Sequence, residues 1–320
     1  MLIRCGETQT IDSFAEDVRD GLGRAGQKEL PSKYLYDDIG SALFEAITRL
    51  PEYGLTRAEE RILRLHSGDI AEHLTAHGMV VELGSGSGRK TRQILEALAH
   101  HKLMTYCPIE ISRAALVSCE RELDDLAHVS ILGFETEYLD GLSRAVARRK
   151  PGDAVVVLFL GSSIGNFDRR PAEEFLRKIR QTIEPDDTLL LGTDLEKPLA
   201  QLIPAYDDSL GVTEAFNRNL LARINRELGG DFDLSRFEHV ALYNAQARRI
   251  EMHLRSLESQ TVTIEDLSFS FLCDETIWTE SCHKYGRNEP SEMATRTGFE
   301  CVAQWVDAEW PFAENLFVAV

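Results

Sequence analysis

Short apolar runs alternate with helical patterns between residues 61 and 195, and this alternation constrains the fold more than any other feature of the sequence. A strand–helix–strand repeat joins parallel strands through right-handed crossovers. It therefore predicts a doubly wound, mostly parallel α/β sheet with helices on both faces. The expected strands are Met79–Leu83, Leu103–Ile109, Val129–Leu132, Ala154–Leu160 and Thr188–Gly192, and the expected helices are Thr91–Leu98, Arg113–Leu126, Leu142–Arg149 and Ala172–Ile183.

The segments on either side of this region follow different patterns. Residues 11–60 are typical of helices and loops. Residues 196–286 predict a helix and an antiparallel sheet, and 287–320 predict a helix and two strands that add antiparallel strands to the edge of the parallel sheet. We expect one domain from 61–195 and 287–320, and a second from 11–60 and 196–286. The expected flanking helices are Ser41–Leu50, Val212–Glu227 and Pro290–Thr297, and the strands are Glu238–Tyr243, Arg249–Leu254, Thr261–Ile264, Thr276–Lys284, Phe299–Trp305 and Leu316–Val320.

The composition argues against several classes of function. Of 320 residues, 53 are acidic and 35 basic, and the net charge of −18 repels nucleic acids and anionic membranes. No apolar run reaches the roughly 18 residues of a membrane helix, and Met1–Thr10 does not resemble a signal peptide. We expect a monomeric, cytoplasmic protein that binds neither metal, nucleic acid nor membrane. The cysteines form no Cys-x-x-Cys pair, which argues against zinc and disulfides; they are Cys5, Cys107, Cys119, Cys273, Cys282 and Cys301.

A glycine-rich loop, Gly84–Gly88, follows the first strand of the α/β region. Glycines allow positive φ and close approach of a ligand to the backbone, and ligands of doubly wound folds bind at the carboxyl ends of the strands. The Gly-x-Gly-x-Gly spacing differs from that of pyrophosphate binders. Glu82 before the loop favours a cationic aminoacyl sulfonium, and Lys90 follows at the start of a helix. The alternative is a tight turn without a ligand.

Acidic residues follow the next two strands. Glu110 lies 22 positions after Gly88, where an acid is placed to accept hydrogen bonds from ribose hydroxyls. The alternative is a charge at the start of a helix capped by Ser112. Glu137 and Tyr138 follow the third strand, and they can bind the adenine amino group and stack on its ring. An ordinary loop explains that pair equally well.

Longer motifs carry a resemblance that covers about residues 30–320. They are Tyr36–Ser41, Leu50–Tyr53, Leu158–Phe167, Gly192–Asp194, Ala205–Asp207 and Ala215–Asn219. In these segments the chain resembles the histidine-specific methyltransferases of ergothioneine biosynthesis. The resemblance implies a class I, Rossmann-like methyltransferase domain with an inserted α+β substrate-binding domain. It also implies three methyl transfers from S-adenosyl-L-methionine to the α-amine of L-histidine, which yield hercynine and S-adenosyl-L-homocysteine without a metal.

The resemblance also implies roles for individual residues. The cofactor would contact Gly84, Ser85, Gly86, Lys90, Glu110, Glu137 and Tyr138. The amine and carboxylate of the amino acid would contact Tyr36, Tyr53, Asn166 and Tyr206, and the imidazole would contact Met252, Glu280 and Cys282. Glu110 and Glu137 replace aspartates that are common in the family, and Cys282 replaces a serine.

Methyl transfer requires a neutral amine aligned with the methyl group, and positioning can supply about 7–11 kcal/mol. The carbonyl of Asn166 can accept a hydrogen bond from that amine, although an Asx turn is the alternative for this residue. Tyr36 and Tyr206 complete the expected catalytic group through their hydroxyls and ring faces. Because no His or Lys is clearly placed as a base, we expect the proton to leave through water or before binding.

The residues expected at the imidazole have alternatives too. Glu280 and Cys282 are two apart on an expected strand and so share a face, whereas His283 lies on the other. Met252 lies on the apolar face of its expected strand, where a core residue is the more common interpretation.

The sequence disfavours four other functions. Methylation of another amino acid, such as tryptophan or tyrosine, is disfavoured by the acid at Glu280. An NAD-dependent oxidoreductase is disfavoured by the glycine spacing. A noncatalytic protein is disfavoured by the joint presence of the motif residues, and a nucleic-acid methyltransferase by charge and by Gly165–Phe167.

Overall fold

The computed structural model describes residues 2–4, 11–74, 77–99 and 103–320. Cys5 and most of Met1–Thr10 lie outside these residues. The helices are α1 Ile11–Leu22, α2 Asp38–Ile47, α3 Gly54–His73, α4 Thr91–Leu98, α5 Arg113–Glu122, α6 Tyr138–Val146, α7 Arg169–Thr182, α8 Leu199–Leu202, α9 Val212–Leu228 and α10 Glu289–Thr297. The strands are β1 Leu2–Arg4, β2 Lys28–Glu29, β3 His77–Leu83, β4 Met104–Glu110, β5 Val129–Ile131, β6 Gly133–Glu135, β7 Ala154–Phe159, β8 Thr188–Asp194, β9 Phe237–Asn244, β10 Arg249–Ser256, β11 Gln260–Ile264, β12 Leu267–Phe271, β13 Thr276–His283, β14 Phe299–Val306 and β15 Phe312–Ala319.

The chain divides into two compact units. The first contains Leu55–Glu196 and Lys284–Val320 with the described residues of Met1–Thr8, and the second contains Lys197–His283 with the described residues of Gln9–Gly54. The expected boundary at residues 60/61 falls inside α3, which continues as one helix from Gly54. The roles expected for the two units stay predictions at this point.

The first unit is built on one large sheet with the order β1-β6-β4-β3-β7-β8-β15-β14, and β5 also pairs with β4. Its strands are parallel except for β15, which is antiparallel to both neighbours. Numbered along the chain from β3 and without β5, the core strands follow the order 3-2-1-4-5-7-6. The order reverses beside β3, and ligands bind at such a switch point in doubly wound folds. The predicted mostly parallel α/β sheet is confirmed.

The predicted strands of this sheet are apolar because both faces are covered. Val155, Val157 and Phe159 of β7 are wholly buried, and so are Leu189 and Leu191 of β8. These side chains belong to one continuous hydrophobic core. Burial of a Val, Leu or Phe side chain stabilises the fold by about 1.5–3 kcal/mol each.

Some element boundaries differ from the predictions. The expected strand Val129–Leu132 is β5, and the next strand, β6, which begins at Gly133, was not predicted. Helix α6 begins at Tyr138 and includes Gly141, where the prediction began at Leu142. A side chain at Gly141 would lie 2.5 Å from Cγ2 of Ile109, so this glycine allows close packing on β4.

The two C-terminal strands extend the parallel sheet beyond β8 through antiparallel pairing, as expected. β15 lies inside the sheet, between β8 and β14, and only β14 is at the edge. Residues 313–318 of this eight-residue strand are paired on both sides, with β8 and with β14. β15 therefore begins four residues before the predicted strand Leu316–Val320.

The second unit contains a four-stranded sheet in the order β2-β13-β10-β9 and a separate β11–β12 hairpin. The predicted antiparallel strands are confirmed, and β12 was missed. Met252 on β10 is paired with Glu280 on β13, and Ile250 is paired with Cys282. Paired residues of antiparallel strands project from the same face. The four side chains therefore share one face of this sheet.

Two motifs of the second unit support each other. Asp37 caps α2 by accepting a hydrogen bond from the amide of Gly40 at 2.7 Å, and it accepts another from Nδ2 of Asn219 at 2.7 Å. Gly40 has no room for a side chain, because a Cβ atom would lie 1.7 Å from the carbonyl oxygen of Leu35. These motif residues therefore have an architectural role.

No helix within residues 2–4, 11–74, 77–99 and 103–320 is long and apolar enough to cross a membrane. No group of three or more His, Cys, Asp or Glu side chains there could hold a metal ion. No disulfide joins the cysteines of the described ranges.

Candidate functional site

The glycine loop lies between β3 and α4 of the first unit, and its backbone requires glycine. Gly84, Gly86 and Gly88 have φ of 76°, 51° and 73°, values that other L-residues adopt at a cost. A Cβ on Gly88 would lie 2.6 Å from Sγ of Cys119, and one on Gly84 would lie 3.1 Å from the hydroxyl of Tyr138. Nothing lies within 4 Å of a Cβ on Gly86. Gly86 therefore has open space around it, while its two neighbours are confined.

Glu110, at the end of β4, contacts this loop. One carboxylate oxygen accepts a hydrogen bond from the amide of Gly86 at 3.3 Å, and the other accepts from Ile111 at 2.8 Å and Ser112 at 3.3 Å. Burial raises the pKa of Glu110, and the three backbone hydrogen bonds partly offset that effect. The hydroxyl of Ser112 caps α5 through the amide of Ala115. Glu110 thus lies both at the loop and at the start of a helix.

The expected adenine pair is only partly brought to the loop. Tyr138 packs edge-on against Phe159, with ring centroids 5.5 Å apart, and its hydroxyl lies over Gly84. Burial, and then the charge of Glu110, raise the pKa of Tyr138. Glu137 is exposed at the N-terminus of α6.

Glu82 has a different role from the one predicted. Its carboxylate accepts hydrogen bonds from the hydroxyl of Thr91 at 2.8 Å and from the hydroxyl of Tyr106, and the side chain is buried. Burial raises the pKa of Glu82 to about 7. The residue supports the first turn of α4, so its position before the loop does not indicate a cationic ligand.

Lys90 begins α4 and forms an ion pair with Glu59 of α3, whose side chain is wholly buried. Burial opposes the charged form of Lys90, but Glu59 and Glu82 outweigh that effect and raise its pKa. Glu59 also accepts a hydrogen bond from the amide of Gly161 after β7. Glu59 was not predicted as a site residue, because it lies in a segment whose pattern indicates only helices and loops.

Asn166 ends a 3₁₀ turn, Ser163–Asn166, after β7. The turn begins after Ser162, which has a left-handed φ of 57°, and the hydroxyl of Ser162 accepts a hydrogen bond from the amide of Asp194 at 2.8 Å. The hydroxyl of Tyr285 donates to the carbonyl of Ile164 at 3.2 Å. These contacts hold the half-buried Asn166 at the carboxyl end of the sheet.

In the second unit, residues that were predicted to bind the amino acid substrate form a compact cluster. The hydroxyl of Tyr36 donates to Oε1 of Glu280 at 3.3 Å. The hydroxyl of Tyr206 lies 2.8 Å from Sγ of Cys282. Tyr53 packs edge-on against Tyr206, with centroids 6.1 Å apart. The structure thus joins residues from four distant segments.

Met252 belongs to the same face as Glu280, and its side chain is 2% exposed. Its burial agrees with a core residue as well as with a residue beside a substrate. His283 alternates to the opposite face and is also buried.

Comparison with known proteins identifies the family. A sequence profile described as histidine-specific methyltransferase, SAM-dependent, matches residues 14–319. The chain belongs to this family. It is therefore a methyltransferase that uses S-adenosylmethionine (SAM), and the resemblance and the cofactor predicted from the sequence are confirmed. The strand order and the family together confirm the class I fold.

Three named relatives are similar to the chain over most of its length. Histidine N-alpha-methyltransferase of Mycolicibacterium smegmatis is 42% identical over 319 residues, which cover 96% of each chain. The Mycobacterium tuberculosis protein of that name is 40% identical and covers 97% of this chain and 96% of its own. Ergothioneine biosynthesis protein 1 of Neurospora crassa is 32% identical over 88% of this chain and 32% of its own length.

Proposed function

We propose that this methyltransferase transfers three methyl groups to the α-amine of L-histidine, yields hercynine, and serves ergothioneine biosynthesis. The observation that carries this proposal is the 42% identity, over 96% of each chain, to a protein named histidine N-alpha-methyltransferase. The hydrogen bond between Tyr36 and Glu280 supports it, because a carboxylate held beside tyrosine can accept a hydrogen bond from an imidazole N–H.

For the cofactor, we assign the first-unit residues at the ends of β3, β4 and β6. The backbone of Gly84, Ser85 and Gly86 would approach it, and the open space at Gly86 fits a bound group. The ammonium of Lys90 would pair with its carboxylate. Glu110 would accept hydrogen bonds from the ribose hydroxyls, and the pair of Glu137 and Tyr138 would bind adenine. Bound SAM supplies an electrophilic methyl group.

For the amino acid, the carbonyl oxygen of Asn166 would accept a hydrogen bond from the amine and direct its lone pair. Tyr36, Tyr53 and Tyr206 would bind its amine and carboxylate, and their ring faces would stabilise the cationic amine as methyl groups accumulate. Each transfer forms an N–C bond as the S–C bond breaks, and the amine proton leaves to water. Positioning is the main contribution of these side chains.

Glu280, Cys282 and Met252 would contact the imidazole. Glu280 and Cys282 are 9% and 8% exposed, so a ring held there would be largely removed from water. Cys282 favours a second candidate, Nα-methylation of tryptophan or tyrosine, because a thiol is a weaker hydrogen-bond partner than the family's serine.

Calorimetry with histidine, tryptophan and tyrosine, each in the presence of S-adenosyl-L-homocysteine, tests the substrate. We expect histidine to bind most tightly. Mass spectrometry should then detect histidine with one, two and three added methylene units. Absence of both binding and methylated products would refute histidine as the substrate.

We also propose that the protein works as a cytoplasmic monomer on a small molecule, without nucleic-acid or membrane partners. The net charge of −18 and the absence of disulfides among the described cysteines support this. Light scattering at two protein concentrations measures the oligomeric state, and a constant monomer mass is expected.

A further inference from the structure

The Ala215–Asn219 motif places a wholly buried asparagine, Asn217, at the centre of the second unit. Its amide nitrogen lies 3.1 Å from the carbonyl oxygen of His253 and 2.9 Å from Nδ1 of His239. Its amide oxygen accepts a hydrogen bond from the hydroxyl of Thr279 at 2.6 Å. One side chain of α9 therefore contacts β9, β10 and β13.

These contacts allow one arrangement of protons. The carbonyl of His253 can only accept, so the NH₂ group of Asn217 must face it. The same NH₂ group faces Nδ1 of His239, which must then be unprotonated. Nε2 of His239 lies 2.7 Å from the carbonyl oxygen of Tyr206 and must carry the proton. His239 is therefore a neutral imidazole in its Nε2–H form. A second proton, on Nδ1, would point at the NH₂ group of Asn217, which is also a donor.

The hydrogen bonds of Asn217, His239 and Thr279 form a buried network, which reaches the residues that we assign to binding of the amino acid. His239 holds the backbone of Tyr206, whose hydroxyl lies beside Cys282. The hydroxyl of Thr279 also lies 3.0 Å from the carbonyl oxygen of Met252, and Thr279 immediately precedes Glu280. Tyr206, Met252 and Glu280 are thus attached to one buried polar centre, although they lie on different elements.

We propose that Asn217 and His239 are positioning residues for the amino acid substrate. Their hydrogen bonds set the relative placement of Tyr206, Met252 and Glu280, and they do so without touching the substrate themselves. The inference rests on the proposed function, because the roles of those three residues do. Buried polar networks suit this task, since any displacement leaves several groups without a partner.

The proton position is tested without a substrate. In protein labelled with ¹⁵N-histidine, long-range ¹H–¹⁵N correlation spectra distinguish the two neutral forms and the cation. The signal of His239 is assigned by its loss in His239→Gln. We expect the Nε2–H form. An Nδ1–H or doubly protonated ring would overturn the inference.

Two variants of His239 separate its two hydrogen bonds. Glutamine places an N–H near the position of Nε2 and can still donate to Tyr206. Asparagine places a carbonyl oxygen near the position of Nδ1, so it keeps the hydrogen bond from Asn217 and loses the one to Tyr206. We expect histidine affinity close to wild type in His239→Gln, and a dissociation constant raised about tenfold in His239→Asn. The affinity for S-adenosyl-L-homocysteine should be unchanged in both. Equal histidine affinity in the two variants would refute the positioning role.

Asn225 is the matched control for Asn217. It lies on the same helix, and it exchanges hydrogen bonds of 2.8 Å with the backbone of Phe232 in both directions. We expect Asn217→Leu and Asn225→Leu to lower the melting temperature, and only Asn217→Leu to weaken histidine binding by about tenfold. Loss of stability with unchanged histidine affinity in Asn217→Leu would show a structural role only and overturn the inference.

The experiments distinguish a failure of the proposed substrate from a failure of the positioning role. A wild-type protein that binds no histidine contradicts the proposed function. The same variants are then compared with tryptophan or tyrosine, whichever the wild type binds, and the same ranking is expected.

Discussion

Glu59 and Glu314 bring two carboxyl groups together in the interior of the first unit, where neither side chain is exposed. Glu59 pairs with Lys90, whereas no N–H or O–H group of the described residues outside this carboxyl pair donates to Glu314. Gly192 leaves room for both, because a Cβ there would lie 2.9 Å from Glu59 and 3.3 Å from Glu314. Burial, and then Glu59, raise the pKa of Glu314 well above its usual value. Both effects favour the protonated, neutral form of Glu314.

Glu314→Gln should change how stability depends on pH. Because the pKa of Glu314 is higher in the folded protein, its contribution to stability is full below the unfolded pKa of about 4.3 and declines as pH rises towards the folded value. Glutamine keeps a neutral donor and removes this slope. The variant should therefore gain stability relative to wild type with rising pH, by at most about 1.4 kcal/mol per pH unit. Urea unfolding at several pH values above about 4.3 measures it.

Glu96→Gln is the control for this experiment, because Glu96 is exposed and forms a surface ion pair with Arg92. Its stability should stay parallel to that of the wild type with rising pH. A Glu314→Gln profile equally parallel to the wild type would show that Glu314 is ionised in the folded protein.

Gly88→Ala should destabilise the first unit more than Gly86→Ala. Both residues have positive φ, which costs a non-glycine residue about 1–2 kcal/mol. Only Gly88 also lacks room, since its Cβ would meet Sγ of Cys119 at 2.6 Å, and overpacking adds about 1–3 kcal/mol. Thermal unfolding without ligand gives the ranking. Equal destabilisation of the two variants would contradict the steric argument.

Glu280→Ala should weaken histidine binding and leave S-adenosyl-L-homocysteine binding intact. Hydrogen bonds to charged groups contribute about 1.5–3 kcal/mol, so the dissociation constant of histidine should rise roughly 10- to 100-fold. Glu251→Ala on the neighbouring strand is the control, because Glu251 projects from the opposite face of the sheet. Calorimetry measures both ligands. If Glu280→Ala lost affinity for histidine and for S-adenosyl-L-homocysteine equally, an imidazole role for Glu280 would be excluded.

Cys282→Ser should tighten histidine binding. A hydroxyl is a stronger donor and acceptor than a thiol, and serine is the residue that the family carries at this position. The gain should be at most about tenfold, because a neutral hydrogen bond contributes roughly 0.5–1.5 kcal/mol. Cys273→Ser, at an exposed cysteine, should leave the affinity unchanged. Weaker histidine binding in Cys282→Ser would show that the thiol is adapted to this substrate or that the substrate is another amino acid.

Features that depend on neighbours in the sequence were predictable. The alternation of apolar runs and helical patterns indicated the α/β sheet, because side-chain periodicity is a local property. The same holds for the glycine loop, where positive φ requires glycine at Gly84 and Gly88. The motifs Tyr36–Ser41 and Ala215–Asn219 led to the correct family.

Helix boundaries and strand orders that depend on partners distant in the sequence were not predictable. Helix α6 includes Gly141 because it packs on Ile109 of another strand, and β15 lies inside the sheet because β8 pairs with it. A glycine or an apolar run does not reveal which partner it will meet.

The sequence by itself determined the fold class, the loop and the family, because these follow from local periodicity, backbone preference and ordered motifs. Only the tertiary structure showed that Glu82 supports α4, that Glu314 is buried close to Glu59, and that the amide of Asn217 contacts the ring of His239. Each of these polar groups is satisfied by packing that joins separate elements, and burial decides its protonation and partners. Chain spacing does not contain that information.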